Sequence, residues 1–206
     1  MFDTRINKIT QKPLALLAKT FLKFLTPNSV TIIGFVFGVF MCLFIYLNYF
    51  FTALVFLFIN RFCDGLDGAM ARLSKPTPLG GYLDIVLDFI FYSAFVLIFG
   101  LLDASNILIS CLLLFSYLCT GTTFLAQAIF QQKLDLIQKN ETLNIDIPKS
   151  FYYSAGLIEG FETILFMMLC LLFPGLYSFF GLIFMILCLL TAISRIIIFY
   201  KRNRSY

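Results

Sequence analysis

Histidine is absent from this chain, and so is tryptophan. Without an imidazole, Ser–His–Asp triads, Cys–His pairs and histidine-ligated metal sites are all excluded. Charge is scarce too: 13% of the 206 residues are Asp, Glu, Lys or Arg, against 61% apolar. With a mean hydropathy of +0.95, the chain reads as a membrane protein and not as an ordinary soluble domain. The six cysteines, at 42, 63, 111, 119, 170 and 188, form no CxxC pair and no secreted-scaffold spacing. Free thiols acting as small apolar residues are expected. The first 25 residues contain no uninterrupted apolar core and no small-residue cleavage site, so no cleavable signal peptide is expected. No nucleic-acid partner is expected either.

What the chain does contain is long apolar stretches. A bilayer core about 30 Å thick needs about 20 mostly apolar residues per helix. Six stretches meet that: Val30 to Tyr49, Phe51 to Ala71, Gly81 to Leu101, Ser105 to Phe130, Phe151 to Phe173 and Leu176 to Phe199. The predicted class is all-α: a polytopic membrane protein of one domain (1–206), with an N-terminal interfacial amphipathic helix (1–25) and a six-helix bundle (26–206). All 15 Lys and Arg fall on one side of this layout. The positive-inside rule then puts both termini in the cytoplasm, and a cytoplasmic (inner) membrane is the expected location. At 100° per residue, Arg5, Lys8, Lys12, Lys19 and Lys23 lie within about a 60° arc, with Ile6, Ile9, Leu14, Leu17, Phe21 and Phe24 around the opposite side.

Against this background, Asp64 to Asp88 ("DGLDGAMARLSKPTPLGGYLDIVLD") is anomalous. The second helix must run through Asp64 and Asp67 to span, which puts Asp67 about 7 Å and Asp64 about 12 Å inward of Arg72 at 1.5 Å per residue. The third enters from the same face at Gly80 or Gly81, leaving Asp84 about 5 Å and Asp88 about 11 Å deep. Spacings of i,i+3 and i,i+4 keep each pair on one face, so two antiparallel helices bring opposed acidic pairs to one depth. An Asp at a helix centre costs about 2.5–3.5 kcal/mol on insertion scales, somewhat less at this depth. Protonation, basic partners or metal ions relieve such a cluster. Hard divalent cations fit an all-oxygen donor set best, and two ions are plausible. Gly65, Gly68, Ala69 and Ala71 strip bulk from the second helix, for close packing or for ligand access. Pro27-Asn28-Ser29 reads as a helix start capped by Asn28 or Ser29.

These residues resemble the signature of the CDP-alcohol phosphatidyltransferase family, D-x-x-D-G-x-x-A-R followed by G-x-x-x-D-x-x-x-D. Here it comprises Asp64, Asp67, Gly68, Ala71 and Arg72, then Gly80, Asp84 and Asp88, with a spacer from Leu73 to Leu79 one residue shorter than the family's. "TPNSVT", Thr26 to Thr31, resembles the family's lead into its first membrane helix. The resemblance implies transfer of a phosphatidyl group from CDP-diacylglycerol to an alcohol, with release of CMP, in phospholipid biosynthesis. It implies Mg²⁺ or Mn²⁺ at Asp64, Asp67, Asp84 and Asp88, with Asp88 also the general base. It implies donor contacts from Asn28, Thr31, Asp64, Gly68, Ala71, Arg72 and Gly80, an active site facing the cytoplasm, and a homodimer. For the acceptor, glycerol 3-phosphate or another small polar alcohol is expected first; inositol phosphate, serine or a lipid alcohol would use the same chemistry. Candidate acceptor residues are Arg61, Lys133, Lys149, Arg195, Glu159 and Glu162. The two glutamates stand about 13–18 Å inward if their helix begins near Ser150, and pairing with Arg61 or Arg195 is their alternative role. The rival from another class is a divalent-cation transporter, which should place its acids near the midplane with a polar path to both faces.

Overall fold

The structure, a computed structural model, describes residues 13–140 and 158–203, without the side chains of 133–140, 202 and 203. The described residues contain seven α-helices and no strand. These are α1 (13–21), α2 (Pro27–Tyr46), α3 (Phe50–Leu73), α4 (Pro78–Leu102), α5 (Ile107–Asn140), α6 (Gly160–Leu172) and α7 (Tyr177–Asn203). Single 3-10 turns at Ala104–Asn106 and Pro174–Leu176 lead into α5 and α7. Arg5, Lys8, Ile6, Ile9, Lys12, Lys149 and Arg204 lie outside the described residues.

Four segments are long and apolar enough to cross a membrane: Pro27–Tyr46, Pro78–Leu102, Ala104–Gln132 and Pro174–Lys201. The two remaining expected spans differ for separate reasons. The α3 helix has the length, at 24 residues, but Arg61, Asp64, Asp67 and Arg72 dilute its hydropathy. The α6 helix has the composition but only 13 residues. It begins at Gly160, where the Glu159 N–H donates to Glu162 Oε2 at 3.0 Å, a capping arrangement. Glu159 and Glu162 thus stand at a helix N-terminus, which corrects the expectation that they lie several turns inside a helix begun near Ser150.

The outer faces carry the apolar side chains. Phe51, Leu108 and Leu118 are each at least two-thirds exposed, a surface suited to lipid and not to water. Inside, Met41, Ile45, Leu57, Phe95, Phe99 and Met167 are buried in the main core. Tyr177 stacks on Phe99 at 4.5 Å, and its hydroxyl lies 2.8 Å from Ser110 Oγ, tying α4, α5 and α7 together away from the acids. Beyond α4, the Ser105 N–H donates to Asp103 Oδ1 at 2.8 Å, holding that exposed carboxyl below its usual range. The turn between α2 and α3 places Asn48 at φ 63°, left-handed backbone that asparagine tolerates. All six cysteines are free. The described helix α1 buries Ala18 against the Val30, Leu66 and Met70 cluster, while Leu16, Leu17 and Phe24 remain exposed.

Helix α2 approaches α3 and α4 through small residues. A Cβ on Gly38 would lie 2.6 Å from the ring of Phe91, itself only 2% exposed. Gly38→Leu is therefore expected to destabilise the bundle by about 1–3 kcal/mol, the usual cost of overpacking. Thermal unfolding in detergent checks this against Gly175→Ala, whose site has nothing within 4 Å.

Candidate active site

Two helix starts and one helix end meet at a single cavity of about 750 Å³. Helix α2 begins with Pro27 at its first turn and Thr26 as N-cap, whose hydroxyl accepts the Ser29 N–H at 3.2 Å. Helix α4 repeats the device: Pro78 opens the helix and the Thr77 hydroxyl accepts the Gly80 N–H at 3.1 Å. Proline suits this place because its missing N–H is unneeded there. The caps are therefore the residues before each proline, not Asn28 or Ser29. Helix α4 also starts two residues before Gly80, so the short spacer is absorbed in the turn at 74–77. There the Ser74 N–H and hydroxyl both donate to Met70 O and close α3.

Freed from capping, Asn28 turns to the cavity. A Cβ on Gly80 would lie 2.9 Å from Asn28 Oδ1, so a larger residue there would push that amide aside. Asn28, Thr31, Gly68, Ala71, Arg72 and Gly80 all line the cavity, as do Asp64, Asp67, Asp84 and Asp88. Every residue expected to hold the metal or the donor is thus brought to one hollow. Leu14 of α1 forms part of its wall, and Lys75 stands at the turn beside it.

The acids differ in their surroundings. Asp84 is exposed. Asp67 is 6% exposed, and its Oδ2 is buried with no hydrogen-bond partner. Asp88 is held from both sides. Arg61 Nη2 donates to its Oδ1 at 2.8 Å, and the Tyr92 hydroxyl donates to its Oδ2 at 3.0 Å. Arg61 also lies 3.7 Å from Asp64 Oδ2. An all-carboxylate donor set suits a hard divalent ion, and an orphaned buried carboxylate oxygen is an unmet demand for a partner. Among the described residues, no three acidic or thiol groups are yet gathered around one point. The acids share the hollow without forming a closed shell.

The acceptor candidates are dispersed. Arg61 lies below the acids and has its donors engaged. Arg195 lies elsewhere, buried on α7: it donates to Thr120 O at 3.0 Å and sits 5.4 Å from the Phe124 ring. It borders a separate groove of about 440 Å³ with Gln127, Phe130, Phe199 and Tyr200. One residue from Thr120, Gly121 packs on the Phe89 ring of α4. Glu159 is near enough for its charge to act on Arg195. Neither Glu159 nor Glu162 lines the cavity. The Lys133 side chain and Lys149 are outside the described residues. Sequence reasoning missed Thr26, Thr77 and Tyr92. The last was open to notice, one turn after Asp88 on the same face.

A family model for CDP-alcohol phosphatidyltransferases matches residues 24–198. Inner membrane protein YnjF of Escherichia coli is 42% identical over 179 residues, covering 84% of this chain and 82% of that protein. Archaetidylinositol phosphate synthase of Pyrococcus horikoshii is 36% identical over 87 residues, covering 41% and 46%. Among solved structures, Mycobacterium tuberculosis phosphatidylinositol phosphate synthase (PgsA1) with CDP-DAG bound superimposes with a TM-score of 0.65 at 20% identity, over 89% of this chain and 91% of that one. That last likeness is one of fold.

Proposed function

Since the chain belongs to the CDP-alcohol phosphatidyltransferase family, we propose that it moves a phosphatidyl group from CDP-diacylglycerol to an inositol phosphate. The family makes it an integral membrane transferase of substituted phosphate groups, dependent on divalent metal. The acceptor is drawn from two relatives. One is the archaetidylinositol phosphate synthase; the other is a bifunctional IPC transferase and DIPP synthase of Aquifex aeolicus, 44% identical over 66 residues, which cover 31% of this chain and 15% of that protein. That evidence displaces glycerol 3-phosphate as the first expectation. The observation that carries the reading is the single cavity shared by four carboxylates and two helix N-termini.

The donor pyrophosphate lies between the starts of α2 and α4, where the helix dipoles favour anions. The Arg72 guanidinium adds a forked donor pair. Gly68, Ala71 and Gly80 leave room for the cytidine, and Asn28 and Thr31 contact it. Asp64, Asp67 and Asp84, with Asp88 beside them, would hold Mg²⁺ or Mn²⁺, two ions if all four take part. Bound there, the metal neutralises charge on the attacked phosphoryl group. Asp88 accepts the acceptor hydroxyl proton. The oxygen so freed forms a bond to the phosphatidyl phosphorus, the bridging P–O bond breaks, and CMP leaves with the electron pair. In this reading the helical bundle is one domain, with the basic residues and both termini cytoplasmic. The cavity that α3 and α4 line together makes their charges tolerable. A second chain packing as a homodimer fits the same arrangement.

For the acceptor's phosphate the candidate cations are Arg195 on α7, which borders its own groove, and, from the sequence, Lys133 and Lys149. CMP release by purified protein with CDP-diacylglycerol and Mn²⁺, over a panel of inositol phosphate, glycerol 3-phosphate, serine and free inositol, tests the reading. Inositol phosphate should give the highest kcat/KM. No CMP with any alcohol would reject the enzyme in favour of cation transport. Arg195→Gln should raise the inositol phosphate KM by about tenfold to a hundredfold, the worth of a charged hydrogen bond, and leave the donor KM unchanged.

A further inference from the structure

Beneath the acids, α2, α3 and α4 are joined by a polar chain centred on Arg61. The Asn60 side chain, 4% exposed, donates to Gly34 O of α2 at 2.7 Å. Its Oδ1 accepts from Arg61 Nε at 2.7 Å. Arg61 Nη1 donates to the Tyr92 hydroxyl at 3.1 Å, and Nη2 to Asp88 Oδ1 at 2.8 Å. The Tyr92 hydroxyl in turn donates to Asp88 Oδ2 at 3.0 Å. The guanidinium also lies 5.1 Å from the Phe91 ring centre and 5.6 Å from that of Tyr92. Arginine's planar fork matches such a set of partners and lysine's point charge does not. All three guanidinium nitrogens have a partner, so the cation is fixed in place.

Its location matters as much as its fixity. Arg61 stands between Asp64 and Asp88, the two deepest of the four acids. A permanent positive charge there lowers the negative field that draws divalent ions in. It also occupies one side of Asp88. A carboxylate has roughly four lone-pair positions. Arg61 and Tyr92 use one on each oxygen and leave the rest toward the cavity.

We propose that Arg61 is a resident counter-ion of the acidic cluster: with Tyr92 it positions Asp88, and its charge sets how strongly the other carboxylates take up divalent metal. This rests on the metal-dependent transferase reading above. It gives Arg61 a positioning role in place of acceptor contact.

Mn²⁺ titration followed by electron paramagnetic resonance, on the full chain in detergent, reads the charge directly. Arg61→Gln should bind Mn²⁺ about tenfold more tightly, as expected for removing one unit charge near a divalent ion in a partly screened site. Asp88→Asn, which leaves Arg61 with Asp64 alone as a charged partner, should bind more weakly. The pair Arg61→Gln/Asp88→Asn, which loses both charges, should bind Mn²⁺ more tightly than Asp88→Asn and less tightly than Arg61→Gln. That pair decides the matter even if Arg61→Gln alone fails to fold. Tyr92→Phe should leave Mn²⁺ affinity unchanged while lowering kcat about tenfold at constant donor KM, and Arg61→Lys should recover charge but not kcat. Unchanged or weaker Mn²⁺ binding in Arg61→Gln, or a double variant that binds no more tightly than Asp88→Asn, would overturn the proposal. The titration needs no turnover. An unaltered protein that releases no CMP fails the transferase reading, and the Mn²⁺ order still decides the role of Arg61.

Discussion

Asp88→Asn is expected to lower kcat for CMP release by about a thousandfold, within the 10²–10⁴ range typical of a general acid–base group. The substitution is nearly isosteric. An amide oxygen can still accept from Arg61 or Tyr92, so the floor of the cavity keeps its shape. What is lost is a group able to take the acceptor's proton. Donor binding should survive, because the two helix starts, Arg72 and Asp64, Asp67 and Asp84 are untouched. The measurement pairs single-turnover CMP release with binding of CDP-diacylglycerol in the presence of Mn²⁺. A fall in turnover with saturable donor binding supports the base. Loss of both together would move Asp88 from proton transfer to donor or metal binding. Because the variant leaves Arg61 with Asp64 alone as a charged partner, unfolding of both proteins is compared first.

The reach of the sequence can be judged at particular residues. Asp64, Asp67, Asp84 and Asp88 were legible because helical spacing dictates which face each occupies, and basic residues dictate depth. The structure gathers them at one cavity, as periodicity requires. The helix starts were read two or three residues late. Pro78 reads as a breaker, but proline at a first turn is also a helix opener; only the Thr77 contact to Gly80 distinguishes the two. The same ambiguity misassigned the cap of α2. Arg61 was harder. A long flexible side chain near a membrane face reads equally as a flank, a ligand contact or a salt bridge, and no periodicity says which partner it reaches. The glutamates of α6 were misplaced because an apolar stretch was extended back to Phe151, whereas the Glu159 and Glu162 capping contacts mark the start at Gly160.

Removing divalent metal should bring CMP release to background, with Mn²⁺ or Mg²⁺ restoring it, and Asp67→Asn should resist that rescue. Asp67 is the most enclosed of the four acids, and its Oδ2 is buried without a partner. A buried acceptor left so costs about 1–3 kcal/mol, more if charged. An ion in the hollow would relieve that cost, so binding and the native arrangement should favour one another. Two readouts separate the consequences. In the unaltered protein, Mn²⁺ should raise Tm, and chelation should reverse the rise along with activity. In Asp67→Asn, a neutral amide replaces a carboxylate whose Oδ2 has no partner, so the metal-free protein should be at least as stable as the original while the Mn²⁺-dependent gain in Tm shrinks. Turnover should fall by at least a hundredfold at any Mn²⁺ concentration, about 2.7 kcal/mol of lost transition-state stabilisation at 1.36 kcal/mol per decade. Asp67→Asn that regains full rate at high Mn²⁺ would reduce Asp67 to a minor ligand. A metal-free variant less stable than the metal-free original would mean that the carboxylate's contacts with Thr31 and Gly68 outweigh the cost of its unpartnered Oδ2.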